Sequence, residues 1–309
     1  MRFAIYGTGG IGGYFGARLA EAGHDVHFIA RGAQLAALHA KGLKLLSPLG
    51  DVFLDRPQAT DDPRKIGEVD CVILGVKTWQ VREAAEAMRP LVGRDTVVLP
   101  LLNGVEASDQ LAEVLGGAHV LGGLAKVFSK IESPGVIRHF NTFARIDFGE
   151  LAGGRSARAE RLRQALARPG IDVAASEDIR TELWKKLVIV SSWAGLGALA
   201  RSPIGALRTL PETRELIDRA IDEGIDVGVA RGHAIEAGFK AELWRIYDAL
   251  PADATASMQR DIMEGKPSEL DAWNGAIVRF GAAAGVETPV HEFTCYALLP
   301  MERRARGQT

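Results

Sequence analysis

Three groups of residues in this chain could do chemistry, and each follows an apolar run. The first is the glycine set of "IYGTGGIGG", where Gly7, Gly9 and Gly12 fill a G-x-G-x-x-G pattern around Thr8, Gly10 and Ile11. Glycine is entropically costly in ordered backbone, so such a cluster implies a tight turn or close approach to something bulky. In this pattern the first glycine makes the turn, the second lets a pyrophosphate approach the backbone, and the third allows close helix–strand packing. A helix starting here would aim its unpaired N–H groups at the phosphates. The plain alternative is a glycine-rich turn with no ligand.

The second is Arg31, which closes "FIARG" after another apolar run. An Asp or Glu at that place reads a ribose 2′-hydroxyl, whereas an arginine accommodates a 2′-phosphate. A guanidinium can hold the phosphate in a bidentate fork, and an acidic group would repel it. No carboxylate lies beside Arg31 in the sequence, so NADP(H) is expected in preference to NAD(H).

The third is a set of polar residues at the ends of later runs. Lys77 ends "ILGVK" and Asn103 ends "VLPLLNG". A lysine can bind phosphate or carboxylate, and an asparagine both donates and accepts hydrogen bonds. A solvated lysine and a turn-forming Asn-Gly pair are the simpler readings. Further on, "ELWKKL" carries Lys185 and Lys186, which cannot share a helix face. Ser257 and Glu269 stand in the polar stretch "TASMQRDIMEGKPSELDAWNG". Residue type alone leaves these two solvated.

The elements that must position these groups are legible. "RFAIY" reads as a short buried strand, "GGYFGARLAEAG" as a helix with its glycine stop, and "HDVHFIAR" as a second strand. That is the context the glycine fingerprint requires. "VDCVILGVK" (Val69–Lys77) and "DTVVLPLLNG" (Asp95–Gly104) read as further strands, followed by helices through "QVREAAEAMRPL" and "VEASDQLAEVLG". "HVLGGLAKVF", "GVIRHF" and "ARIDFGEL" read as later, shorter strands. Such alternation predicts an α/β fold, a Rossmann-type, mostly parallel sheet covered by helices. From Ile179 onward the apolar spacing is almost wholly helical. The expected division is therefore a dinucleotide-binding domain over 1–172 and an all-helical C-terminal substrate and catalytic domain over 173–309. In such arrangements the substrate commonly lies in a cleft at the carboxyl ends of the strands.

Whole-chain properties narrow the class. The 309 residues suit about two domains, and 47% hydrophobic with 25% charged residues is ordinary for a soluble globular protein. A net charge of −2 leaves no electrostatic footprint for nucleic acid or an anionic membrane, so neither partner is expected. Cys71 and Cys295 lack metal-ligand spacing and read as small core residues of a reducing compartment. No metal is expected. The most apolar stretch, Leu187–Ala200, is too short to cross a bilayer. The N-terminus runs straight into a strand, so no signal peptide and a cytoplasmic location are expected. The apolar C-terminal helices suit either a core or a homodimer face.

Taken together, "GTGGIGG", "FIARG", "VKTWQV", "LLNGVE", "ELWKKL" and "SMQRDIMEGKPSELDAWNG" resemble the ketopantoate reductase family (2-dehydropantoate 2-reductase) along nearly the whole chain. The resemblance implies NADPH-dependent reduction of 2-dehydropantoate to pantoate, a step toward pantothenate and coenzyme A. It places the catalytic lysine on Lys186, the strand-end lysine on Lys77 and the loop asparagine on Asn103. The substrate-contacting serine falls on Ser257 and the cofactor-side glutamate on Glu269. The chemistry agrees with these types, because hydride transfer to a ketone leaves charge on oxygen that a lysinium can stabilise and then protonate. Asn103 then orients the cofactor ribose or the substrate.

The chain departs from the family at its substrate asparagines, whose places read Val190, Ala194 and Ile204. Ser191, Ser192 and Arg201 are the nearby polar candidates to replace them. Losing polar groups matters, since a site built to hydrogen-bond a hydroxyl discriminates far better than an apolar one. A more apolar 2-oxoacid is accordingly the rival substrate. A hydroxyacyl-CoA or hydroxyisobutyrate-type dehydrogenase would need another catalytic constellation. A non-catalytic NADPH sensor would not need a proton donor.

Overall fold

Arg2–Tyr6 (β1) becomes the central strand because it is apolar on both sides. Phe3 and Ile5 face one buried cluster with Phe15, Phe28, Ile73 and Leu99, while Ala4 and Tyr6 face another with Val72, Leu74 and Val98. Burial on both faces is the signature of a strand inside a parallel sheet. The partners are β2 (Asp25–Ile29), β5 (Gln58–Thr60), β6 (Cys71–Leu74) and β7 (Val97–Pro100). All pairings are parallel, in the order β5-β2-β1-β6-β7. The chain leaves β1 on one side for β2 and returns on its other side for β6. That reversal is the switch point at which ligands bind in open α/β sheets.

The computed structural model describes residues 1–308 and divides into two units. The first comprises Met1–Leu102 and Glu106–Arg180. Helices cover both faces of its parallel sheet. α1 (Gly10–Glu21) and α5 (Ala157–Leu166) bury Phe15, Leu19 and Leu162 in one cluster. α3 (Val81–Ala87) and α4 (Ala107–Leu115) bury Val81, Ala85 and Leu111 in the other. Each such large side chain, fully buried, is worth roughly 1.5–3 kcal/mol.

Helix α2 (Gly32–Lys41), not expected from the sequence spacing, and two smaller sheets, which take in the three later strands that were expected, complete the unit. One runs β4 (Val52–Leu54), β3 (Leu43–Leu46), β10 (Val136–His139), β9 (Ser129–Ser133). The other runs β12 (Asp172–Ala175), β11 (Arg145–Gly149), β8 (Gly122–Lys126). β12 pairs in parallel with β11, and the first unit runs to Arg180.

The second unit comprises Asn103–Val105 and the residues from Thr181 onward. Its central element is α6 (Ile179–Ala200), apolar nearly all round and therefore a buried helix. Around it stand α7 (Ile204–Thr209), α8 (Pro211–Ala230), α9 (Phe239–Ala249), α10 (Ser257–Met263), α11 (Ala276–Ala284) and α12 (Pro289–Ala305). Small residues let α8 approach α6 closely. A Cβ at Gly228 would lie 2.3 Å from the Trp184 ring nitrogen, which donates to the Gly224 carbonyl at 2.9 Å. Among the described residues no helix is long and apolar enough to cross a membrane.

Candidate functional site

The glycine turn joins β1 to α1. Gly7 has φ +98°, a conformation that glycine alone adopts without strain, and its N–H and that of Thr8 both donate to the Ile29 carbonyl at 3.1 Å. A Cβ at Gly12 would lie 2.2 Å from the Gly7 carbonyl oxygen and 2.9 Å from Ile5, so only glycine lets α1 sit this close to β1. Gly10 is similarly tight, 2.6 Å from the Ser129 carbonyl oxygen.

Gly9 differs. The nearest atom to a Cβ placed there is the Gly75 carbonyl oxygen at 3.9 Å, so no protein atom explains the missing side chain. Gly9 is also the N-cap of α1, with no side chain capping the helix and no acidic residue in its first turn. A helix start left open in this way fits a pyrophosphate, whose charge the unpaired N–H groups and the helix dipole both favour. Ile11 contributes its backbone to this first turn, while its side chain packs on the core. The Thr8 side chain is buried and donates to the Ile29 carbonyl at 3.1 Å, which leaves the backbone of this residue as its part in the turn. Gln34, which sequence reasoning missed, braces the same turn: its amide donates to the Thr8 carbonyl and accepts from Gly135 N–H.

Arg31 stands exposed at the end of β2 and precedes α2. No carboxylate neighbours it in the sequence, but one does in space. The Glu83 carboxylate, from the first turn of α3, lies 3.1 Å from the Arg31 guanidinium. The Tyr6 phenol is beside the pair; burial pushes its pKa up, and the Arg31 charge opposes that shift. The hydrogen bond from Arg31 to Glu83 raises the arginine pKa further. Fifty-two residues separate Arg31 from Glu83, and no local pattern announces the pairing.

Lys77 lies three residues beyond the end of β6, where Lys77–Gln80 turns. Its N–H donates to the Gln80 side chain at 3.1 Å, and its Nζ is 5.9 Å from the Trp79 ring centre. These residues all belong to the first unit. Asn103 was expected with them but belongs to the second, where Val105 packs against the helical core.

In the second unit the two adjacent lysines of α6 separate. Lys185 is 2.6 Å from Glu236 and 3.6 Å from Glu182, and its Nζ stands 5.7 Å from the Phe239 ring centre. Burial works against its charge, but the two carboxylates prevail and raise its pKa. Lys186, also half-buried, projects about 100° further round the helix. Ser257 opens α10, which is held to α6 by Gln259. That fully buried side chain donates to the Ser202 carbonyl at 2.8 Å and packs against Gly197.

Glu269 is buried, and the residue before it is clamped. The Ser268 N–H reaches both oxygens of Glu302 at 3.1 and 3.0 Å, and its hydroxyl donates to Glu302 Oε2 at 2.5 Å. Arg306 donates to Glu302 at 2.5 Å and to the Ser268 carbonyl at 2.9 Å. Beyond Glu269 and Leu270 comes a π-helical turn, Asp271–Gly275, a local irregularity frequent at functional sites.

The family's asparagine places resolve differently from one another. Ala194 and Ile204 have 0% exposure and belong to the helical core, so their apolar character serves packing; Val190 alone keeps some exposed surface. Ser192 cannot substitute for a lost asparagine, because its hydroxyl donates to the Val188 carbonyl at 2.9 Å and lies 2.6 Å from the Tyr247 hydroxyl. Ser191 is enclosed in the core, and Arg201 ends α6 on the surface at φ +51°.

A parallel sheet in this strand order, with an open glycine turn at its switch point, defines a dinucleotide-binding protein of Rossmann type carrying a separate helical unit. Family models for ketopantoate reductase PanE/ApbA match residues 3–153 and, for the C-terminal part, 178–302. The chain belongs to the ketopantoate reductase family and is an oxidoreductase. It is 30% identical over 301 residues to the uncharacterized oxidoreductase YkpB of Bacillus subtilis, covering 97% of this chain and 98% of that one. It is also 30% identical over 293 residues to a 2-dehydropantoate 2-reductase of Nostoc sp., covering 93% and 91%. The crystal structure of a 2-dehydropantoate 2-reductase from Geobacter metallireducens superposes with TM-score 0.91 at 32% identity, covering 97% of this chain and 99% of that one.

Proposed function

We propose that the protein reduces 2-dehydropantoate to pantoate with NADPH, in the cytoplasm, supplying pantothenate and coenzyme A synthesis. NADPH, when bound, supplies the hydride. The N–H groups that open α1 hold its pyrophosphate across the space beside Gly9, and Arg31 takes the 2′-phosphate. Lys77, Asn103 and Glu269 complete the cofactor contacts. Ser257 binds the substrate carboxylate, and Asn103 orients the ketone or the ribose. Lys186 stabilises the developing oxyanion and then protonates it. No nucleic acid or membrane partner is assigned, and a homodimer is the assembly we propose.

The single observation that carries the reading is the open helix start at Gly9, uncapped and with no protein atom nearer than 3.9 Å to a Cβ placed there, in a chain matched by the ketopantoate reductase family models. The choice of Lys186 as proton donor follows the family resemblance. A second reading, a more apolar 2-oxoacid as substrate, draws on Val190, the one of the three altered asparagine places that keeps exposed surface. Initial rates of NADPH oxidation with ketopantoate beside a panel of 2-oxoacids separate the two. Preference for ketopantoate supports the first reading, and preference for another oxoacid the second. Lys186→Ala is expected to lower kcat at least 100-fold, within the range general acids contribute, while Lys185→Ala keeps most activity. Equal activity of Lys186→Ala and wild type would sink the assignment, and NADPH binding with no oxoacid turnover would favour a sensor.

A further inference from the structure

We infer that Glu83 sets how strongly this protein discriminates between dinucleotides with and without a 2′-phosphate, by competing for Arg31. The inference rests on the reading that Arg31 is the 2′-phosphate contact. The pair itself is 3.1 Å apart, with side chains 62% and 66% exposed. At such exposure an ion pair adds little to stability, so the fold does not require it. Its consequence is electrostatic. A 2′-phosphate approaching Arg31 must displace Glu83 from the guanidinium or share the guanidinium with it, and meets a like charge in either case.

The sequence leaves the tip of β2 without the acidic residue that would disfavour a phosphate. The fold restores one from α3, because the crossover helix after β6 brings its first turn to the end of β2. The Tyr6 phenol, at the end of β1, also interacts electrostatically with this guanidinium. Arg31 is thus a positive charge partly neutralised in place. The expected result is a shallow preference for the phosphorylated cofactor rather than a steep one. Glu83 acts here as a specificity-determining residue and takes no part in hydride or proton transfer.

The test measures dissociation constants by calorimetry for NADP⁺, NAD⁺, 2′,5′-ADP and 5′-AMP, using wild type, Glu83→Gln and Arg31→Ala. Glu83→Gln is expected to tighten NADP⁺ and 2′,5′-ADP about fivefold, the effect of one unit charge at ion-pair distance in water-like surroundings. NAD⁺ and 5′-AMP stay unchanged, and the gain shrinks in high salt because the groups are exposed. Arg31→Ala removes the preference for the phosphorylated ligands. If Arg31→Ala leaves that preference intact, the underlying reading of Arg31 fails. If Arg31→Ala removes it but Glu83→Gln changes nothing, or shifts all four ligands equally, the inference about Glu83 fails by itself.

Discussion

The same substitution, Gly→Ala, made three residues apart in the glycine turn should produce two different failures. At Gly12 a Cβ would sit 2.2 Å from the Gly7 carbonyl oxygen and 2.9 Å from Ile5 Cγ2. Ile5 lies in β1 and Gly7 in the turn just beyond it, so α1 must move off the sheet. Overpacking of this kind costs about 1–3 kcal/mol, and loosening the helix over Phe15 and Ile5 adds to it. At Gly9 the nearest atom is 3.9 Å away and φ is −89°, a conformation alanine adopts readily. Alanine is a poorer N-cap than glycine but loses less entropy on folding, so stability should stay within about 0.5 kcal/mol. The added methyl instead fills the space where the pyrophosphate approaches. Losing one or two charge-assisted hydrogen bonds, each about 1.5–3 kcal/mol, should weaken dinucleotide binding at least tenfold. Urea denaturation reports the first quantity and protein-fluorescence titration with NADPH the second. Gly9→Ala with wild-type affinity, or Gly12→Ala with wild-type stability, would refute the division of roles between the two glycines.

Two further outcomes follow from the helical unit. His291 is completely buried, its pKa pushed down to about 4 by burial. Its Nε2 lies 2.9 Å from the Ala220 carbonyl, and its Nδ1 lies 3.0 Å from the Asn274 amide donor, an arrangement suited to the neutral ring. The unfolded chain therefore binds a proton that the folded one refuses. Stability contributed by the neutral ring is complete above the unfolded value near 6.5 and falls as pH drops toward 4, by up to about 3 kcal/mol. Denaturation at pH 7 and pH 4.5 should show the loss, and His291→Gln should remove much of this pH dependence; an undiminished fall in the variant would assign it elsewhere. Glu302→Gln should destabilise by about 1–3 kcal/mol, because it weakens the charge-assisted bonds to Ser268 and leaves Arg306 without its buried counter-ion. If the clamp also positions Glu269, NADPH affinity should fall in the same variant, and an unchanged dissociation constant would confine Glu302 to a structural role.

The elements that announce themselves locally were legible. "RFAIY", "HDVHFI" and "DTVVLP" are short apolar runs flanked by turn residues, and each contains a strand of the parallel sheet. The onset of helix at Ile179 was equally plain from the spacing of its apolar residues. The short strands β3, β4, β5, β9 and β12 were not foreseen. Residues such as "QAT" and "SKIES" carry little apolar pattern, and their strand state depends on an edge offered by a distant segment. β12 in particular is held by β11 rather than by its own composition.

The chain by itself determined the local conformations: where glycine must stand for the turn to form, which runs are apolar enough to be buried, and which helix is apolar all round. These depend on neighbours within a few residues, so type and spacing suffice. Tertiary structure decided which charges meet. It brought Glu83 to Arg31, engaged Lys185 with Glu236, and set Ser268 against Glu302. It also enclosed Ala194, Ile204 and Ser192 in a core where none of them is exposed. Coulomb and hydrogen-bond energies depend on distance and burial. Those quantities arise only when segments far apart in the chain are packed together.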